Sequence, residues 1–165
     1  MENEQFQEAI AQTVREVLET MTFIEVMPET PYLESAFRLE NEWSALLPFF
    51  GADSGSLLLN CSSSFAKTAT GALLGLEENE VAEGQAMDTV RELANMMAGG
   101  VFFRLDSEKS SVQLGIPRFF RREEVADLPI SVAGVLICPF VFRSLSPEGE
   151  QEERVFIEFG RDTKV

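Results

Sequence analysis

Apolar residues recur near the start of the chain at Phe6, Ile10, Val14, Val17, Leu18 and Met21. This i, i+3/i+4, i+7 rhythm predicts an amphipathic helix over 2–22. Acidic residues crowd its first turns, which suits the positive end of a helix dipole. Pro28 and Pro31 then break the chain. Apolar runs of strand character follow over 32–39, 42–50 and 56–61, with Glu40-Asn41 and the 51–55 segment as turns. Pro48 points to an edge position or a strand end. Helical spacing returns over 65–74, behind the N-cap candidates Ser62, Ser63 and Ser64 and ahead of Gly75, a residue suited to ending a helix. An acidic connector, 77–83, leads into a long helix over 84–105, closed by a polar stretch at 106–110. The remainder reads as a short strand over 112–116, a charged segment over 118–124 with Phe119 and Phe120 embedded, a long strand over 130–142 with a candidate bend at Pro139, a loop over 144–153 and a last strand over 154–159. Three helices and five to seven strands joined by short turns predict a single α+β domain over 1–165. Its antiparallel-rich sheet is packed by two long helices and one shorter one.

The helix over 84–105 has two unlike faces. Ala86, Val90, Leu93, Ala94, Met97, Val101 and Leu105 fall on one side and are expected on the core. Asp88, Glu92, Asn95 and Gly99, spaced i, i+4, i+7 and i+11, share an arc of about 60° on the other. Met96 and Phe103 project between the faces, where they either flank a partner contact or join the peripheral core; Phe103 is assigned to the core. Gly99 and Gly100 each cost about 1 kcal/mol relative to alanine in a helix interior, a cost that close approach of another surface justifies. Gly100 lies toward the apolar flank, where packing on a strand of the same chain accounts for it, while Gly99 lies on the polar face. Asparagine is a mediocre helix former, and no basic residue is placed to pair with Glu92. These features, with the double glycine that follows, count against a plain solvated helix face.

Composition narrows the chemistry. Thirteen basic and 28 acidic residues give a net charge of −15, which disfavours nucleic acid and anionic membrane surfaces as partners. Histidine is absent, so His-based acid–base catalysis, Ser-His and Cys-His nucleophiles and His-containing metal sites are excluded. Cys61 and Cys138 are too few and too far apart for a cysteine zinc site, and both read as buried free thiols. No Gly-rich phosphate loop is present. Arg121 and Arg122, a lone basic pair, read as surface counter-charge. No apolar run approaches the ~18 residues of a membrane span and no signal pattern opens the chain, so a cytoplasmic protein is expected.

Asp88-x3-Glu92-x2-Asn95, followed by Met-Met-Ala-Gly99 and then by Pro117, resembles the signature of the CheC/CheX/FliY family of chemotaxis response-regulator phosphatases. The likeness spans about residues 55–120 and includes Gly55-Ser-Leu-Leu-Leu-Asn-Cys-Ser-Ser-Ser and the helix ending at Leu74-Gly75. It implies a CheX-like fold and hydrolysis of the aspartyl phosphate on a CheY-like receiver domain. Under that implication Asn95 positions the attacking water, Glu92 pairs with the partner's active-site lysine, and Asp88, Gly99 and Met96 border the contact. Magnesium belongs to the phosphorylated partner, so neither a metal site nor a cofactor is expected in this chain. CheC-type members carry a second motif, whose nearest match here is Glu16-Val-Leu-Glu19, with a carboxylate where the amide is needed. One site per chain is the CheX arrangement, which is a homodimer in the family. The competing reading is a non-catalytic CheX-like module that binds a receiver domain or a flagellar switch component. The intact Glu92/Asn95 pair favours the enzyme.

Overall fold

Among the described residues eight antiparallel strands form one sheet, and three helices cover one of its faces. The computed structural model describes residues 4–51, 54–105, 112–127 and 132–162. The polar stretch expected to close the long helix, and the first two residues of the strand expected from 130, lie outside them. In chain order the elements are α1 (Glu4–Thr22), β1 (Met27–Pro28), β2 (Tyr32–Glu34), β3 (Trp43–Phe50), β4 (Gly55–Cys61), α2 (Ser63–Leu74), α3 (Glu83–Leu105), β5 (Gln113–Leu114), β6 (Arg118–Arg121), β7 (Val132–Ser146) and β8 (Gly149–Asp162). Short 3-10 turns occupy Glu78–Glu80 and Arg122–Asp127. The strands run in the order β1-β7-β8-β4-β3-β5, with β2 beside β1 on β7 and β6 beside β5 on β3.

Alternation along the central strands sets the two faces. Ala45, Leu47 and Phe49 of β3, Leu57 and Leu59 of β4, and Val155, Ile157 and Phe159 of β8 join the buried faces of all three helices in the main core. Leu46, Leu58 and Phe156 point the other way, under Tyr32, Phe37 and Leu39 of the segment that returns across the sheet. Both faces of β4 are therefore buried, which is why Leu57-Leu58-Leu59 can be apolar without interruption. Asn60 is fully buried and fastens the start of β3: its Oδ1 accepts from the Asn41 amide at 2.8 Å, and its Nδ2 donates to the Asn41 carbonyl at 3.0 Å and to Ser44 Oγ at 2.9 Å.

The helix ends follow the sequence. Ser62 caps α2, its Oγ accepting from the Phe65 amide at 3.0 Å, and Gly75 closes that helix in the left-handed region at φ 69°. The strands differ from expectation in four places, the first being β1, which pairs with β7 where Pro28 is expected to break the chain. The run over 32–39 is a strand only over 32–34, because Arg38 and Leu39 turn to cover the second face, Leu39 adopting φ 55°. The charged 118–124 segment supplies β6, which pairs with β3 from Trp43↔Arg121 to Leu46↔Arg118. The expected 144–153 loop is a hairpin extension, paired from Arg143↔Glu152 to Ser146↔Gly149 around Pro147-Glu148. This ribbon is almost wholly solvent-exposed, so it carries no apolar alternation; its backbone ladder and a two-residue turn hold it.

Two prolines sit where the sheet tolerates them. The Pro48 carbonyl accepts from Gly115 at 2.7 Å, so its ring nitrogen faces the same side, in the gap between β5 and β6. Pro139 stays in register with Phe156 without a bulge; its carbonyl accepts from Glu29 at 3.0 Å and its nitrogen faces the gap between β1 and β2. The ladder's irregularity lies instead between Val132 and Gly134. Among the described residues no helix is long and apolar enough to cross a membrane.

Candidate functional site

α3 is held on three sides. Its Ala82 amide is met by Gln85 Oε1 at 2.9 Å, which supplies a first-turn donor with a partner. Thr70 of α2 donates to Thr89 at 2.7 Å beneath the helix. β6 flanks it on one side, where Arg121 bonds Glu83 at 2.5 Å and lies 3.9 Å from Met87 Sδ. α1 flanks it on the other, where Arg104 bonds Thr13 Oγ1 at 2.9 Å and pairs with Glu16. Ala86, Thr89, Val90, Leu93, Ala94, Met97, Ala98 and Val101 are buried; Leu105 is half-buried against the same core.

The opposite face stands clear of the fold. Asp88 and Glu92 are exposed, and Asn95, Met96 and Gly99 are half-exposed. All five residues that the sequence singles out thus lie on one surface. Among the described residues neither the Glu92 carboxylate nor the Asn95 carboxamide has a hydrogen bond or an ion pair. They are three residues apart, about 4.5 Å along the helix axis. Asp88 differs, because Arg91 pairs with it. Arg91 also stacks 5.9 Å from the Phe119 ring of β6, so its guanidinium is drawn back along the helix toward Asp88. Arg91 lies about 40° outside the arc of the motif residues on the helical wheel.

The two glycines part company. A Cβ on Gly99 would meet nothing within 4 Å, whereas one on Gly100 would come within 2.5 Å of Thr13 Cγ2. Gly100 therefore serves close packing, but against helix α1 and not against a strand. Phe103 is the other correction: it is 82% exposed and lies outside the core. Its neighbour Phe102 takes the core position, 4.8 Å from Phe49. Arg121 acts as a counter-charge within the chain, toward Glu83 and Glu124, whereas Arg122 donates to the neutral Glu40 carbonyl.

The motif face belongs to neither of two hollows of the fold. Hollows of about 390 and 1010 Å³ lie elsewhere, the first against the start of α1, the second between α2 and the β7–β8 ribbon. Neither is lined by Asp88, Glu92, Asn95 or Gly99. Among the described residues no three His, Cys, Asp or Glu side chains gather as a metal ion would need. An unpaired carboxylate and carboxamide on an exposed helix face are free to meet a group outside this chain.

The family model for the chemotaxis phosphatase CheX matches residues 43–141, a span that contains β3 to α3 and most of β7. The chain belongs to the CheX family. Solved structures with the CheX fold match it over almost its whole length. A CheC-like superfamily protein from Shewanella sp. PV-4 matches with a TM-score of 0.73 at 23% identity, over 98% of this chain and 99% of that one. The chemotaxis protein CheX from Vibrio vulnificus matches with a TM-score of 0.71 at 21% identity, over 96% and 99%. A chain of the CheX–CheY–BeF3–Mg complex from Borrelia burgdorferi matches with a TM-score of 0.70 at 17% identity, over 96% and 98%. No curated protein is a significant match by sequence. The likenesses show the CheX fold, an α+β sheet with three helices. The CheX-matched span includes the whole motif face of α3.

Proposed function

We infer that this chain hydrolyses the aspartyl phosphate of a CheY-like receiver domain, with Asn95 and Glu92 as the working pair. The observation that carries this reading is the unengaged carboxamide and carboxylate, side by side on the exposed face of a helix tied to α1, α2 and β6. Hydrolysis of an acyl phosphate proceeds by in-line attack: a water oxygen bonds to phosphorus as the bond to the aspartate oxygen breaks. Positioning supplies most of the catalysis in such a reaction. The Asn95 carboxamide accepts one proton of the water in a hydrogen bond and aims its lone pair, with no need to titrate. That role suits a chain without histidine. Glu92 pairs across the interface with the partner's lysine, a contact that fixes register more than it adds affinity. Asp88 with its paired Arg91, and Met96, border the contact; Gly99 keeps the helix low between them. Magnesium is assigned to the partner. A homodimer with one such face per protomer belongs to the same proposal, and sedimentation velocity tests it.

The deciding experiment is phosphate release from a panel of phosphorylated receiver domains of the same genome. Asn95→Ala is expected to abolish stimulated release while its circular dichroism and unfolding midpoint match wild type. Wild-type turnover by Asn95→Ala would sink the assignment.

A further inference from the structure

Phe103 lies inside a 23-residue helix yet is 82% exposed. Among the described residues the only other phenylalanine above three-quarters exposure is Phe23, which follows the end of α1 in a left-handed conformation at φ 59°. Phe103 has no such backbone reason. Its direction is fixed by its neighbours. Phe102 packs in the core against Phe49 and Phe159, and Arg104 is bonded to Thr13 of α1 at 2.9 Å. α3 therefore cannot rotate to turn the ring inward. A single exposed apolar residue is ordinary on a protein surface. Here the position is informative. Eight residues beyond Asn95, Phe103 stands about 80° around the helix and about 12 Å along it, on the same exposed strip as Glu92 and Gly99. On the line from carboxamide to ring stands Gly99, over which there is open space, with half-exposed Met96 bordering it. The strip thus has a polar head, a low saddle and an apolar foot.

We propose that Phe103 is the apolar anchor of this docking face and selects its partner. The receiver domain that fits presents an apolar recess about 12 Å from its phosphorylated aspartate. This rests on the reading of Glu92 and Asn95 given above. Phe103 touches no reacting atom; it holds the partner so that Asn95 meets the phosphoryl group.

The test titrates the full chain, as wild type, Phe103→Ala, Phe103→Leu and Asn95→Ala, with receiver domains of the same genome activated by beryllofluoride, and measures phosphate release in parallel. Phe103→Ala is expected to weaken binding about tenfold or more. Phe103→Leu recovers most of that loss, and the deficit in phosphate release appears in KM. Asn95→Ala instead binds and fails to turn over. Wild-type binding by Phe103→Ala beside an inactive Asn95→Ala overturns this inference alone. Undiminished turnover by Asn95→Ala overturns the reading of the site, and binding of no receiver by the wild-type chain overturns both. A lowered unfolding midpoint for Phe103→Ala shows the ring to be covered within its own chain and also overturns the anchor.

Discussion

At the residue scale, two adjacent glycines with the same helix propensity have opposite environments. At Gly99 an added methyl group enters open space, so Gly99→Ala gains the propensity of alanine, up to about 1 kcal/mol. At Gly100 the same methyl group meets Thr13, whose hydroxyl is already committed to Arg104 and whose branched side chain has little freedom to move. Overpacking of this kind costs about 1–3 kcal/mol, which outweighs the propensity gain. Urea unfolding of the two variants is expected to move the midpoint up for Gly99→Ala and down for Gly100→Ala. Equal shifts would show that α1 and α3 separate easily. Spacing alone places Gly99 on the polar face and Gly100 toward the flank. It does not say which element lies against Gly100, since that depends on where α1 folds back.

At the scale of elements, the return segment between β2 and β3 is latched to β8. The Arg38 amide donates to Glu158 Oε1 at 2.7 Å, and among the described residues Glu158 Oε2 has no partner. Glu158 is fully buried opposite Leu58 and Ile137. Burial pushes its carboxyl up to about 7, against the opposing pull of the Arg38 and Leu39 amides and the Arg38 charge. The folded chain therefore holds this proton more tightly than the unfolded chain. The resulting stabilisation is complete below about pH 4.5 and is lost as pH rises toward 7, by about 3 kcal/mol in all. Glu158→Gln removes the titration. Its stability relative to wild type is expected to rise between pH 5 and 7 and then level off, as read by urea unfolding at pH 5 to 8. A difference that stays flat across that range would show Glu158 to be hydrated. The alternation of β8 puts Glu158 on the face opposite Ile157, together with Phe156. Only the crossing of Tyr32, Phe37 and Leu39 makes that side an interior.

At the scale of the whole molecule, one continuous core joins α1, α2 and α3 to the central strands, and both thiols lie in it. Burial pushes the Cys138 thiol up to about 12 and that of Cys61 higher still. The thiolate is the reactive form, so neither is reactive until the sheet opens. Labelling by a disulfide reagent in native buffer is expected to be at least about a hundredfold slower than in urea, with both cysteines tracking global unfolding. Rapid stoichiometric labelling of Cys138 would show that the hollow against α1 opens locally, since Cys138 lines its floor.

Local periodicity was sufficient for the three helices, the caps of α2, the central strands and the polar strip of α3. Each of these is a property of consecutive residues, because side-chain direction repeats every 3.6 residues in a helix and every two in a strand. The histidine-free composition narrowed the chemistry in the same way. Tertiary structure decided what depends on a distant partner. It made a strand of Arg118–Arg121 by pairing it with β3, and a ribbon of the exposed β7–β8 extension. It drew Arg91 to Asp88 beside Phe119, left Glu92 and Asn95 unengaged, and turned Phe103 outward by fixing Phe102 and Arg104. A hydrophobic residue in a sequence asks for burial. Whether it is buried in its own chain is settled only when every other surface of that chain has been placed.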